Sequence, residues 1–264
     1  MIEPRLKKQL GQHHLVRPEL CEPLVRHLRP GGRTVIEIGP GGGVLTGLLC
    51  EEAGRVVALE LDLEWAFALG GRPASERPAL AVVDVMDVAW DRAPAGTLVA
   101  GNLPYEIASA LIRRLLPLHD RIARLSFLVQ REVAERLVAE PGSKAYGLLS
   151  VLSAAWSDVE YLGTVARGSF RPPPKVEGAF IGFTLKRPPL AEDEMAGFVS
   201  MIELAFSQRR KTLRNALASG WGRPRADDAI AAAKIPSRAR AEELELESFV
   251  RLYECVPSLN HHQS

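Results

Sequence analysis

The sequence predicts an α/β fold: a mainly parallel sheet covered on both faces by helices, followed by a small all-helical appendage. Three observations carry that prediction. Between residues 33 and 185, short apolar runs rich in β-branched residues alternate with helix-length segments. The last two runs are joined by a proline-rich loop with no room for a crossover helix. Beyond Pro189 the strand signal stops and the pattern becomes helical.

Taken in order, residues 33–38 (RTVIEI), 55–60 (RVVALE), 80–85 (LAVVDV), 97–100 (TLVA) and 125–130 (LSFLVQ) read as buried strands. Segments 44–52, 61–70, 109–116 and 131–139 supply helices between and after them, and such alternation implies parallel strands. Residues 158–165 and 178–185 flank the Phe-Arg-Pro-Pro-Pro-Lys loop and predict an antiparallel hairpin at the sheet edge. Segments 192–206, 208–219, 226–233 and 247–253 read as helices, with breaks at Gly220, Gly222, Pro224 and Pro236. The expected organisation is a domain over 1–188 with a basic N-terminal segment 1–32, a helical domain over 189–258 and a tail over 259–264.

Composition narrows the class. A chain of 264 residues can bury a sizeable core, and 47% hydrophobic with 25% charged residues is ordinary globular usage rather than disorder. Cys21, Cys50 and Cys255 lack ligand spacing, so neither a structural zinc site nor a disulfide framework is expected. A reducing, cytoplasmic setting is the expectation. The N-terminus lacks the apolar run of a signal peptide, and no stretch reaches about 18 uninterrupted apolar residues, so no membrane partner is expected. The net charge of +1 hides segregation: residues 1–35 carry seven basic and three acidic side chains, residues 195–240 nine and three. The rest of the chain is acidic. Basic ends of this kind can dock on a phosphate backbone, although solvated helix faces would look the same.

The candidate chemistry lies at strand ends. The first strand runs into Gly39-Pro40-Gly41-Gly42-Gly43, where glycines let the backbone turn tightly and approach a ligand. The second ends in Glu60, placed to accept hydrogen bonds from both ribose hydroxyls of a nucleoside. Dinucleotide-binding folds share that pair. The third ends in Asp84, suited to accept from an adenine amino group. Taken singly, each of these carboxylates is more often a turn or cap residue than a ligand contact.

The fourth strand ends in Asn102-Leu103-Pro104-Tyr105. The exocyclic amine of adenine is a poor nucleophile because its lone pair is delocalised into the ring. The Asn102 side-chain oxygen and the Leu103 main-chain carbonyl can hold that amine and aim its lone pair at an electrophile, while Pro104 biases Leu103 toward an extended conformation. Tyr105 offers a ring for a flipped-out base. Asn102, Leu103, Pro104 and Tyr105 are therefore the candidate catalytic residues.

These residues resemble the KsgA/Erm group of S-adenosylmethionine-dependent rRNA adenine dimethyltransferases. The likeness runs from Leu6 to about Tyr253, through Lys8-Gln9-Leu10-Gly11-Gln12, EIGPGGGVLT and GNLPY. Three blocks, VQREVAERL from Val129, SKAYG from Ser143 and FRPPPKV from Phe170, are more like the KsgA branch, as is AFSQRRK from Ala205. The resemblance implies a seven-stranded Rossmann-like methyltransferase sheet with a C-terminal helical domain. It also implies dimethylation of N6 on two adjacent adenines of the 3′-terminal stem-loop of 16S rRNA, in the small (30S) subunit. S-adenosyl-L-methionine would be held by His13, Leu15, Gly39, Gly41, Glu60, Asp84 and Asn102. Tyr105 would hold the target base, with Phe170 either facing it across the rim or packed as a core phenylalanine, and Arg209, Arg210, Lys211 and Arg214 would meet the RNA phosphates. The chain has His13-His14 where the family usually has Asn-Phe. No metal is expected, since adjacent histidines seldom converge on one ion, and a monomer is the default. A DNA adenine methyltransferase, a large-subunit rRNA methyltransferase and a ribosome-assembly factor with weak transfer are the alternatives.

Overall fold

The structure is a computed structural model that describes Pro4 and residues 13–256. The Lys8–Gln12 motif lies outside the described residues. The strand-rich unit opens with β1 (His14–Leu15) and α1 (Glu22–Leu28), then alternates β2 (Thr34–Ile38), α2 (Val44–Glu52), β3 (Arg55–Glu60), α3 (Leu63–Gly70) and β4 (Ala79–Val82). It continues through β5 (Thr97–Asn102), α4 (Ala108–Leu115), β6 (Ile122–Gln130) and α5 (Arg131–Leu137), and closes with β7 (Ser157–Val165), β8 (Phe170–Arg171) and β9 (Gly178–Leu185).

Seven strands form one sheet in the order β4-β3-β2-β5-β6-β9-β7. The first five run parallel, and β9 pairs antiparallel with both β6 and β7. The expected edge hairpin is therefore present, with β9 inside and β7 at the edge. Central strands carry almost nothing but apolar side chains: Leu98, Val99 and Ala100 of β5 and Leu125, Phe127, Leu128 and Val129 of β6 are buried completely. Burial on both faces is what continuous apolar runs dictate. Gly101 is required where β5 meets β2, because a Cβ there would lie 2.4 Å from the Ile38 carbonyl oxygen. Pairings Ile38↔Leu59 and Ile38↔Gly101 bring the carboxyl ends of β2, β3 and β5 to one rim.

Local chemistry fixes the helix starts. Asp62 caps α3 by accepting the Glu64 N–H at 3.1 Å. In the helical unit, Thr212 caps α8 (Leu213–Trp221), and three acids, Glu192, Asp193 and Glu194, lie in the first turn of α7 (Glu192–Phe206), where the helix dipole favours them. Pro224 occupies the first turn of α9 (Arg223–Ala232) rather than ending a helix. α10 is Leu246–Cys255. These helices bury Phe198, Met201, Ile202, Leu213, Leu217, Phe249 and Leu252 in a core of their own.

The division into units differs from the expected one. One compact unit ends at Glu135 and resumes over Ser157–Lys186; the other takes Arg136–Trp156 together with the chain from Arg187 onward. The segment responsible includes α6 (Leu148–Trp156), where the sequence predicts no element. Its sequence, LLSVLSAAW, is apolar on nearly every side and buried almost throughout, so it carries little helical periodicity. Within the helical unit, Tyr146 just before it donates its hydroxyl to the Leu244 carbonyl at 2.7 Å.

Candidate active site

The glycine loop and Glu60 form the floor of a cleft of about 210 Å³ lined by Gly39, Gly41, Glu60, Asp84, Asn102 and Tyr105 among others. Gly41 adopts φ +48°, and a Cβ there would come within 2.7 Å of the His14 ring, so only glycine fits. Glu60 is 6% exposed. It accepts the Gly41 N–H at 3.1 Å and the Asp62 N–H at 2.9 Å, which ties the end of β3 to the loop after β2. Burial pushes its carboxyl above the usual carboxylate range, and the N–H donors oppose that rise.

Asp84 is exposed and lies beyond the end of β4, which stops at Val82 rather than at 85. It caps the single turn Val85–Asp87 by accepting the Met86 N–H at 2.8 Å. The carboxylate thus reaches the expected rim, from a turn rather than from a strand.

Asn102 is positioned by a bond that also settles its orientation. Its side-chain amide lies 2.7 Å from the His13 carbonyl oxygen. A carbonyl can only accept, so the amide nitrogen must face His13. Oδ1 is thereby turned away, as an acceptor. His13 is itself held by its ring: Nδ1 donates to the Pro172 carbonyl at 2.8 Å. Its imidazole lies 6.0 Å from the Tyr105 ring with the planes 27° apart. The Tyr105 hydroxyl is buried with no hydrogen-bond partner among the described residues, and burial raises its pKa.

His14 takes over a packing role. Its ring meets Trp65 of α3 edge-on at 4.5 Å while covering Gly41. The two histidines are held over the rim by pairing of β1 with β8, His14 opposite Arg171 and Leu15 opposite Phe170.

Two candidate site residues turn their side chains into the core. Leu15 and Phe170 are 7% and 4% exposed and belong to the apolar core with Leu24, Leu45 and Phe180. Side chains alternate across a strand, so His14 facing the glycine loop sends Leu15 the other way. Leu15 lines a smaller cavity beside the cleft, together with Gly39, Gly42 and Asn102, and Phe170 lines neither. Phe170 is thus a core residue in this structure, and no ring of it faces the Tyr105 cleft. In the helical unit, Arg209, Arg210 and Lys211 precede α8 in a turn rather than starting a helix. With Lys144 and Arg240 they put five cations close together on one unit: Lys144, Arg209, Arg210 and Arg240 line one cavity with Glu242, and Lys211 follows directly in sequence. Arg214, by contrast, is engaged with Asp227 through both carboxylate oxygens.

Two residues that matter escaped the sequence reading. Arg72, just after α3, donates to the carbonyls of Gly42 and Gly43, the latter at 3.1 Å, and so clamps the loop from behind. Glu37 of β2 is 1% exposed; burial pushes its carboxyl up to about 7, and the Glu60 carboxylate nearby adds to the rise. Neither carries a local signal, since both act through partners distant in sequence.

A buried carboxylate at the second strand end, a glycine cradle at the first and apolar walls from Ile38, Leu61 and Val85 fit an adenosyl group, and Asn102 beyond them fits an amine acceptor. Fold and site together define an S-adenosylmethionine-dependent methyltransferase. Comparison with known proteins sharpens this. The family model described as ribosomal RNA adenine dimethylase matches residues 4–257, and the chain belongs to that family. It is similar to the ribosomal RNA small subunit methyltransferase A of Acidithiobacillus ferrooxidans, 40% identical over 96% of this chain and 95% of that protein. The protein of the same name from Streptomyces griseus is 38% identical over 97% and 91%. Among solved structures, the 23S rRNA methyltransferase ErmE superposes with a TM-score of 0.69 at 25% identity, covering 96% and 98%. A dimethyladenosine transferase from Plasmodium falciparum shares the fold with a TM-score of 0.74 at 20% identity, covering 94% and 98%.

Proposed function

We propose that this enzyme dimethylates N6 of two adjacent adenines in the 3′-terminal stem-loop of 16S rRNA, on the small ribosomal subunit, as a cytoplasmic monomer. The observation that carries the reading is the Asn102 amide, turned by the His13 carbonyl so that its oxygen is left to accept from an amine. S-adenosylmethionine supplies a methyl group on a sulfonium, an electrophile that needs no further activation. The chain's own residues do the rest. Glu60 holds ribose hydroxyls, Asp84 takes the adenine amine of the cofactor, and Gly39 and Gly41 allow close backbone approach. Asn102 Oδ1 and the Leu103 carbonyl receive the two hydrogens of the target amine and direct its lone pair, so that orientation and fixed dipoles supply most of the acceleration. Once the new N–C bond forms the amine is strongly acidic, and its proton passes to solvent without a dedicated base.

Small-subunit rather than large-subunit RNA is favoured by the 36–40% identity to proteins named for the small subunit, against 25% to ErmE. Arg209, Arg210 and Lys211 with Lys144 and Arg240 supply phosphate contacts, and their exposure suits a surface that meets a large, polyanionic particle. No helix among the described residues is long and apolar enough to cross a membrane, in keeping with a cytoplasmic role. The test is transfer of labelled methyl to under-methylated small subunits, naked small-subunit RNA, large-subunit RNA and duplex DNA. N6-dimethyladenosine on the small subunit alone supports the reading; label on large-subunit RNA or DNA overturns it.

A further inference from the structure

We propose that Arg72 and Arg114 are positioning residues for the cofactor, each strapping one loop of the cleft by two backbone carbonyls: Arg72 for the amino-acid end, Arg114 for the adenine end. The inference rests on the reading that Glu60 takes ribose and Asp84 takes adenine. Strand order then lays the cofactor along the rim. β4 leads to Asp84, β3 ends in Glu60, β2 feeds the glycine loop and β5 ends in Asn102. With adenine over β4 and ribose over β3, the amino-acid end falls to the glycine loop.

Both loops are costly to order. Gly39, Gly41 and Gly43 take φ of +62°, +48° and +73°, and glycine loses more freedom on folding than any other residue. Arg72 donates to the Gly42 carbonyl and, at 3.1 Å, to that of Gly43. Its guanidinium fills the space beside Gly43, where a Cβ would lie 2.7 Å from Cζ. The adenine side is a single turn, Val85–Asp87, with Asp84 and Asp87 exposed. Arg114, in the last turn of α4, donates to the Met86 carbonyl and, at 2.9 Å, to that of Val88. α4 starts three residues after Tyr105, so this strap joins the adenine turn to the chain that follows the Asn102 motif. A planar guanidinium forks to two acceptors; a lysine ammonium carries the charge without the fork. A loop that holds its binding shape only part of the time weakens apparent affinity by that fraction.

That difference makes the test. Ala and Lys variants at both positions, with Asp84→Ala alongside, are titrated by calorimetry and melted thermally. The ligands are S-adenosylhomocysteine and 5′-methylthioadenosine, which keeps the adenosyl group and lacks the amino acid. Arg72→Ala and Arg72→Lys should weaken S-adenosylhomocysteine about tenfold and 5′-methylthioadenosine less than about twofold. Arg114→Ala and Arg114→Lys should weaken both ligands about tenfold. Full recovery in the Lys variants would show that charge alone acts. Equal loss of both ligands in the Arg72 variants would show a general loosening of the cleft. Lower melting temperatures with unchanged affinities would show arginines that only support the fold. Each of these overturns the proposal. Asp84→Ala weakens both ligands if Asp84 takes adenine; if it weakens neither, the underlying reading falls and the straps with it. If it weakens both while the arginine variants bind like wild type, only the straps fall.

Discussion

Glu60 at the sheet rim and Arg210 in the helical unit represent two ways of handling charge. Glu60 is 6% exposed, fixed by two backbone N–H groups and surrounded by a loop whose glycines fit only one conformation. Arg210 and Lys211 are exposed, in a turn, beside other cations. A buried, fully bonded group has one geometry and a high electrostatic worth, which is what aligning two reacting atoms demands. Exposed cations have many geometries and act through summed charge, which suits capture of a polyanion. Single changes should therefore cost most at the rim and least at the helical surface.

The strongest test of that contrast is Asn102→Ala, which removes the acceptor and leaves the His13 carbonyl without its donor. We expect kcat to fall roughly 10²- to 10³-fold with cofactor affinity much less affected, read by single-turnover methyl transfer. Glu60→Ala should follow, weakening S-adenosylhomocysteine binding about 10- to 100-fold in calorimetry, because the proposed charge-assisted bonds to ribose and the anchor on Gly41 would go together. At the opposite end, Arg210→Ala should lower affinity only severalfold and reduce the slope of log affinity against log salt by about 0.7–0.9. Arg214→Ala should leave that slope alone and lower the melting temperature instead, since its guanidinium is committed to Asp227.

Glu37 sharpens the comparison from inside the core. Its carboxyl is raised to about 7 in the folded protein from the usual carboxylate range, so the folded state binds the extra proton between about 4.5 and 7. Stability is then greatest below the unfolded value and falls as pH rises through the folded one, by about 3 kcal/mol at most. Glu37→Gln should flatten this dependence and be the more stable form above pH 7. Thermal melts of both proteins from pH 5 to 8 check it, and a wild-type protein that gains stability over that range relative to the variant contradicts it.

Most of the fold was legible because buried strands and strand-end motifs leave local marks. RTVIEI, RVVALE and TLVAGN are β-branched and bounded by glycine, and the rim residues Glu60 and Asn102 stand where such strands end. What escaped depends on partners far away in sequence. α6 reads as a featureless apolar run because it is buried almost all round. Arg209–Lys211 look helical by composition, but Thr212 caps the helix and leaves them in the preceding turn. Phe170 reads as a rim aromatic from its loop, and only the pairing of β8 with β1 sends it inward. His13 was legible as a neighbour of the cofactor loop. Its contact with Tyr105 is a product of 91 intervening residues of chain folding back to one rim.

In the function proposed above, the Asn102 amide, held in one orientation, presents an acceptor to a small-subunit adenine. The direct measurement is labelled methyl transfer to under-methylated small subunits by wild type and Asn102→Ala, with mass spectrometry of the nucleosides. N6-dimethyladenosine from the wild type and essentially none from the variant, with cofactor binding retained, is the predicted result. Equal transfer by both proteins would contradict the account.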